Sequence, residues 1–436
     1  MLSAATAQTT TPASRPSAPF LQRQGSQLLL DGKPFRAVGV NKRELLDQYL
    51  ADLLGGDLDV ARSRARKTLD SLSATGIDVV RVCGCQFWPV EMSKTFAADP
   101  AVQGVAWQRF DEMLADCTRH DVRVVLAVGF YVGLWPDLAN ESLHDFVTNP
   151  HSRSRQMHDA WLTELVTRYR DNPTVLFWEL PNELNLLADL APQMKNGLFD
   201  SPPSVSPRPV VRDARNNLTS DEAAAWMRET ATLIKSIDPN HLVGTGFSLP
   251  RPSAWHLWQG SLTRSSSMDW TVDTPEQQAD YIRLMTPEPI DLISIHQYFR
   301  PGQPAGIDQL VTVLKTGRGL GKPVYVGEMG VDSEAFKGEI YGHQAACDLL
   351  RDYLQAVRSL DVPIVLAWAY DEYGSIAHEP VIWSDRQPQA VAVLRAAQRQ
   401  AKADAMAQRS LSDAEIATVV GQLQRRFGLT DTQPGR

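Results

Sequence analysis

Val175-Leu-Phe-Trp-Glu-Leu-Pro-Asn-Glu183 and Pro323-Val-Tyr-Val-Gly-Glu328-Met-Gly330 are short apolar runs that each deliver a glutamate. Continuous apolar runs of this length read as strands buried on both faces, as in a parallel sheet covered by helices. A carboxylate where such a strand emerges is costly unless it is paired or at work. Two of them, far apart in the chain, suit opposite walls of one barrel mouth.

Outward from these two strands the same alternation continues. Leu28-Leu-Leu-Asp31-Gly32-Lys-Pro-Phe35 has the Asp-Gly turn of a hairpin and is expected to plug a barrel floor. Residues 35–40 read as strand one, and residues 59–74 as a helix stopped by Gly76 before strand two at 77–82. A helix at 103–120 precedes strand three at 122–128, and one at 157–170 precedes strand four at 175–180. Thr219 with Glu222 three residues on opens a helix to about 237, before strand five at 241–247. Thr274-Pro275-Glu276-Gln277 opens another, before strand six at 290–295. Short helical spacing at 307–314 leads to the Glu328 strand, and a longer helix at 333–360 to strand eight at 362–368. Eight strand-helix units predict an α/β fold, a closed (β/α)8 TIM barrel with an N-terminal hairpin, long loops after strands four and five, and a C-terminal helical extension.

The 436 residues fit one such barrel with long loops. Residues 1–19, rich in Ser, Thr, Pro and Ala, read as a flexible leader whose small residues resemble the stump of an export signal. Residues 20–408 form the catalytic barrel, and 409–436, with the capping box Ser412-Asp-Ala-Glu415, a last helix packed on its outside. The formal charge of −8, with cations scattered, excludes the basic stripe of a nucleic-acid binder. No apolar run approaches the ~20 residues of a membrane helix, so neither nucleic acid nor membrane is an expected partner. Cys83, Cys85, Cys117 and Cys347 read as buried thiols in the barrel wall. The nine histidines show no metal-ligand spacing, so neither metal nor cofactor is expected.

Two facing carboxylates are the usual equipment for cleaving a glycosidic bond. Around them stand Arg81 in strand two, Asn182-Glu183 after strand four, His296-Gln297-Tyr298 after strand six, Glu328 in strand seven and Trp368 at the end of strand eight. In this arrangement residues 28–397 resemble a clan A, family 5 glycoside hydrolase, the family of cellulases and endo-β-mannanases. Two departures stand out: Val128-Gly-Phe-Tyr131 replaces a His common after strand three, and Leu184 replaces the usual Pro after Asn-Glu. Mannanase-like members often lack that His, and the stretch from Phe146 to Glu183 resembles theirs.

The resemblance implies retaining hydrolysis of a β-1,4-linked polysaccharide or oligosaccharide, mannan, glucomannan or β-glucan, without a cofactor. Arg81 either neutralises the inner carboxylate Glu179 or donates to Glu328 and favours its charged form, with Tyr298 adding a hydroxyl donor. Glu328 is then the nucleophile. Glu183, poorer in cationic partners, is expected to hold its proton longer and act as acid, then base. His296 would bond Glu183 or orient Tyr298, Asn182 would meet the sugar 2-hydroxyl, and Trp368 would form the platform beneath the sugar. Tyr131 and Trp135 after strand three, with Trp255, Trp258 and Trp270 in the loop at 248–273, are candidates for stacking more distant sugars; the loop at 184–217 walls the other side. An exo-acting glycosidase, a transglycosylase and a catalytically silent glycan-binding barrel are the alternatives. A secreted or periplasmic monomer is expected.

Overall fold

The computed structural model describes residues 20–190, 217–262, 268–299, 306–331, 338–373, 380–407, 414–415 and 418–421. The expected leader, and most of the loop at 184–217 and of the tail, lie outside these. Eight parallel strands form the centre: β1 (Ala37–Asn41), β2 (Val79–Cys83), β3 (Arg123–Ala127), β4 (Val175–Glu179), β5 (Val243–Gly244), β6 (Ile293–Phe299), β7 (Val324–Val331) and β8 (Ile364–Ala367). They pair in the order β5-β4-β3-β2-β1-β8-β7-β6, and a bridge between Gly244 and Leu292 joins the two ends. The sheet is therefore a closed barrel, as the sequence predicts.

Each strand is followed by an outer helix: α1 (Leu58–Thr75), α2 (Pro100–Arg119), α3 (Arg153–Tyr169), α4 (Ser220–Ile237), α5 (Pro275–Met285), α6 (Ile307–Gly319), α7 (Gln344–Ser359) and α8 (Pro388–Met406). The sequence signals act as read. Thr219 and Thr274 each accept from the backbone three residues on, in reciprocal capping boxes, and Gly76 closes α1 at φ 77°. Helix starts at α2 and α3 lie a few residues earlier than hydrophobic spacing alone suggests, because Asp99 and Ser152 cap them.

Strands with period two face two cores. Inside the barrel Ala37, Val79, Val125, Phe177, Tyr325, Ile364 and Leu366 meet, with Leu21 and Leu28 packed from below. Those two leucines belong to a three-stranded antiparallel sheet, Leu21–Gln24, Gln27–Leu30 and Lys33–Pro34, so the expected hairpin plugs the floor with one strand more than was read. The larger core lies between barrel and helices and includes Trp178, whose indole donates to Asp238 Oδ2 at 2.7 Å. All four cysteines are buried and unpaired, Cys83 and Cys85 sulfurs lying 3.9 Å apart.

Two strand boundaries differ from expectation for local reasons. β5 contracts to two residues because Gly246 turns the chain at φ 69°, where a Cβ would stand 2.3 Å from Leu180 O. β7 runs past Glu328 to Val331, so Glu328 lies within a strand rather than at its end. The pairing with β6 slips there: Val326 faces Ile295 and Glu328 faces His296, which leaves Gly327 as an extra residue. Tyr325 points into the barrel, and strict alternation would turn Glu328 outward; the bulge at Gly327 turns it inward.

β1 allows no side chain at Gly39, where a Cβ would meet Val79 O at 2.3 Å and Leu366 Cδ2 at 2.8 Å. Gly39→Ala should therefore cost about 1–3 kcal/mol of overpacking. Urea unfolding should show a lower midpoint at unchanged slope; an unchanged midpoint would contradict this close packing.

Candidate active site

Arg81, on the inward face of β2 and fully buried, is the hub of the barrel mouth. Its Nε donates to Glu179 Oε1 at 2.7 Å, its Nη1 to Glu328 Oε1 at 2.6 Å and to Asn41 Oδ1 at 3.0 Å, and its Nη2 to Asn182 Oδ1 at 2.7 Å. Both expected roles of Arg81 are thus met at once. Burial opposes its charge, but Glu179 and Glu328 outweigh that and raise its pKa. Tyr325 closes the inner side by donating to Glu179 Oε2 at 2.6 Å.

Glu328 is buried and holds two direct donors, Arg81 on Oε1 and the Tyr298 hydroxyl on Oε2 at 2.7 Å. Tyr298 is 39% exposed overall, but its hydroxyl is turned in to the buried Glu328. Burial first, then the neighbouring Glu328 charge, push the Tyr298 phenol well up, which keeps it a donor. Asn41 Nδ2 donates to Gly327 O at 2.9 Å and anchors the bulge that carries Glu328.

Glu183 sits across the mouth in the left-handed region, at φ 52° and ψ 26°. A non-glycine residue held there is strained and needs its surroundings to fix it. Here the backbone supplies the fixing, since Asn182 N donates to Gly129 O at 2.9 Å and Glu183 N to Gly246 O at 2.8 Å. Asn182 has its carbonyl oxygen committed to Arg81, which leaves its amide donors for the cleft.

Buried His296 places Nδ1 3.0 Å from Glu183 Oε1 and 3.5 Å from Glu328 Oε1. One oxygen or nitrogen from each of these three residues lies within 4.8 Å of the others. Such a cluster has the donor set for a cation, yet the Arg81 guanidinium already stands against Glu328 and opposes a second positive charge there. The donors fit proton chemistry better than metal binding.

The expectation that Glu183 holds its proton longer is corrected. Burial works to raise its pKa, but the hydrogen bond and charge of His296, the charge of Arg81 and a Ser248 hydroxyl outweigh burial and lower it. Sequence placed His296 beside Glu183 as expected, but not the Ser248 hydroxyl, nor the combined effect of the two on this carboxyl.

Trp368 ends β8 at the mouth, its ring centroid 6.2 Å from that of Phe130, over which Arg81 stacks at 4.4 Å. The loop aromatics differ from expectation. Trp135 is buried against Trp161 and His158, and Tyr131 is buried with its hydroxyl on Asp137, so neither offers a free face. Trp255 and Trp258 are half-buried and pack on the outer core, Trp258 donating to Asp221. Trp270 is exposed. The sequence reading missed Phe87 and Trp88, half-buried after β2, their rings 4.5 Å apart and packed on Tyr131. Their signal was an adjacent aromatic pair four residues past a strand end.

An eight-stranded barrel with two carboxylates facing across its mouth defines an enzyme that cleaves glycosidic bonds. The Cellulase model of glycosyl hydrolase family 5 matches residues 39–372, and the chain belongs to that family of glycoside hydrolases. It is 27% identical over 352 residues to mannan endo-1,4-beta-mannosidase 8 of Oryza sativa subsp. japonica, covering 72% of this chain and 80% of that protein. It is 23% identical over 250 residues to mannan endo-1,4-beta-mannosidase F of Aspergillus clavatus, covering 53% of this chain and 47% of that one. In fold it resembles the endo-1,4-beta-mannanase of Rhizomucor miehei, with a TM-score of 0.59 at 17% identity over 88% of this chain and 99% of the other.

Two pH effects follow. His296→Ala removes the main donor that lowers the Glu183 pKa, so the basic limb of kcat/KM against pH should move to higher pH; a shift to lower pH would contradict the geometry. Near the β1 end, burial and the Glu91 charge raise Asp47 from 3.8 to about 7. Between those values the unfolded chain ionises while the folded one stays protonated, so stability falls as pH rises through that window. Asp47→Asn should raise the denaturation midpoint at pH 8 and leave it unchanged at pH 3.

Proposed function

We propose that this glycoside hydrolase is an endo-β-1,4-mannanase that cleaves mannan or glucomannan by double displacement, with Glu328 as nucleophile and Glu183 as acid and base. The observation that carries the mechanism is the spacing. A carboxylate oxygen of Glu183 lies within 4.8 Å of one of Glu328. Retaining enzymes hold their carboxyls about 5–5.5 Å apart, whereas inverting ones need roughly 6.5–9.5 Å to admit a water between. The substrate reading rests on the relatives, which are named mannan endo-1,4-beta-mannosidases.

In the first step a Glu328 oxygen attacks the anomeric carbon, the carbon–oxygen bond to the leaving sugar breaks, and Glu183 passes its proton to that oxygen. In the second, Glu183 takes a proton from water, the water oxygen attacks the anomeric carbon, and Glu328 leaves with its charge restored. Arg81 and Tyr298 hold Glu328 aimed before the first step and receive it again after the second. The Glu183 pKa, low in the open site, rises as sugar expels water from the mouth, and falls again once Glu328 loses its negative charge by bonding to the sugar, which suits Glu183 to act first as acid and then as base. Asn182 supplies its amide to the 2-hydroxyl, and Trp368 its ring to the sugar face. The resemblance of residues 1–19 to the stump of an export signal, together with a polysaccharide substrate, supports action outside the cell.

Incubation with mannan, glucomannan, carboxymethyl-cellulose and mannooligosaccharides, with products separated by length, should give internal cleavage of the mannans. Failure to cut any of them, with Glu328→Ala indistinguishable from wild type, would sink the reading. Arg81→Ala should lower kcat on the order of 10²–10³ while KM changes little, since the charge it stabilises is the reacting one. A KM effect without a kcat effect would make Arg81 a binding residue only.

A further inference from the structure

Two buried polar atoms beside the candidate site lack a well-formed hydrogen bond among the described residues: His296 Nε2 and Ser294 Oγ, the latter reaching only the Tyr325 phenol oxygen. They stand on the same inward face of β6, two residues apart. Both crowd the same point, because a Cβ placed on Gly327 would lie 2.6 Å from Ser294 Oγ and 2.9 Å from His296 Nε2. The β7 bulge leaves that point empty of side chain. A buried donor or acceptor left unpaired is costly, and these two border the same small space beside Gly327.

The protonation pattern follows from their neighbours. His296 Nδ1 lies between oxygens of Glu183 and Glu328, at 3.0 and 3.5 Å, where a lone pair would face two acceptors; Nδ1 therefore carries the hydrogen. In the neutral ring Nε2 is then the acceptor and needs a donor; in the charged ring, which lowers Glu183, Nε2–H donates to the same hydroxyl instead. Ser294 is opposite Tyr325 in the β6–β7 register, but the Tyr325 phenol hydrogen is spent on Glu179, so Tyr325 does not donate to the serine. The Ser294 hydroxyl also interacts with that phenol oxygen, which makes Tyr325 the competitor for its hydrogen.

We propose that Ser294 is a positioning residue for the glycosidase reaction: its hydroxyl donates, directly or through one bridging water, to His296 Nε2, fixing the Nδ1–H tautomer that faces Glu183. Gly327 is the residue that leaves room for this contact. A His296 held in that tautomer donates to Glu183 in both halves of the cycle, so the acid/base proton stays on the other carboxyl oxygen, toward the cleft. The link to catalysis rests on Glu183 being the acid and base; the tautomer itself does not.

The test is ¹⁵N-histidine NMR of the full chain near neutral pH, the His296 signals being identified by their loss in His296→Ala, together with kcat/KM–pH profiles. Wild type should show Nδ1 protonated and Nε2 as a hydrogen-bonded acceptor. In Ser294→Ala, which removes one oxygen and adds no bulk, the Nε2 resonance should move toward that of a free acceptor. Its kcat/KM should fall about three- to tenfold, as expected for one lost hydrogen bond, with an altered basic limb. A wild-type spectrum with Nε2 as the protonated nitrogen, or an Nε2 signal unmoved in Ser294→Ala, would overturn the proposal. An Nε2 shift without any change in kcat/KM would leave the hydrogen bond standing and refute its service to Glu183.

Discussion

One fully buried guanidinium organises this barrel mouth. Arg81 cannot stay charged in that interior without compensation, because removing an ion from water costs several kcal/mol even after relaxation. Its donors are accordingly shared among Glu179, Glu328, Asn41 and Asn182. The two carboxylates are not equivalent. Glu179 takes Nε and Nη2 and a tyrosine hydroxyl deep in the barrel, and so fixes the plane of the guanidinium. Glu328 takes a single guanidinium nitrogen from the rim side and keeps Tyr298 as its other direct donor. A carboxylate held this way is oriented by two donors and still turned to the cleft.

The backbone pays for that arrangement in two places, a bulge and a left-handed residue. Without the extra residue at Gly327, strand alternation would send Glu328 into the helix layer. Without the hydrogen bonds of Asn182 and Glu183 to Gly129 and Gly246, a glutamate at φ 52° would relax toward an ordinary conformation and leave the mouth. The bulge is held on both sides by continued pairing of β7 with β6, and the left-handed Glu183 follows the end of β4, so each irregularity stays local. The floor sheet and the two cores carry the stability.

Much of this was legible from residue order. The apolar runs gave all eight strands, caps such as Thr219 and Thr274 gave helix starts, and Arg81, Asn182, Glu183, His296, Tyr298, Glu328 and Trp368 do converge on one mouth. What sequence could not show depended on contacts between distant segments. The low pKa of Glu183 comes from His296, Arg81 and Ser248, which arrive from β6, β2 and the β5 loop. The packing of Trp135, Trp255 and Trp258 comes from partners on α3 and α4 and in the outer core. An aromatic in a loop looks the same in sequence whether its face is open or covered. The bulge was hidden for a related reason, since a glycine within a strand marks close approach or an irregularity without saying which.

The account stands or falls on which carboxylate forms the bond to sugar. An activated 2-deoxy-2-fluoro mannobioside slows the second displacement more than the first and so accumulates the glycosyl-enzyme. Mass analysis of peptides from the inactivated protein should then place one fluorosugar on Glu328, with inactivation fully prevented in Glu328→Ala. A label on Glu183, or steady turnover with inverted anomeric configuration and no label, would contradict the role that the Arg81 network gives to Glu328.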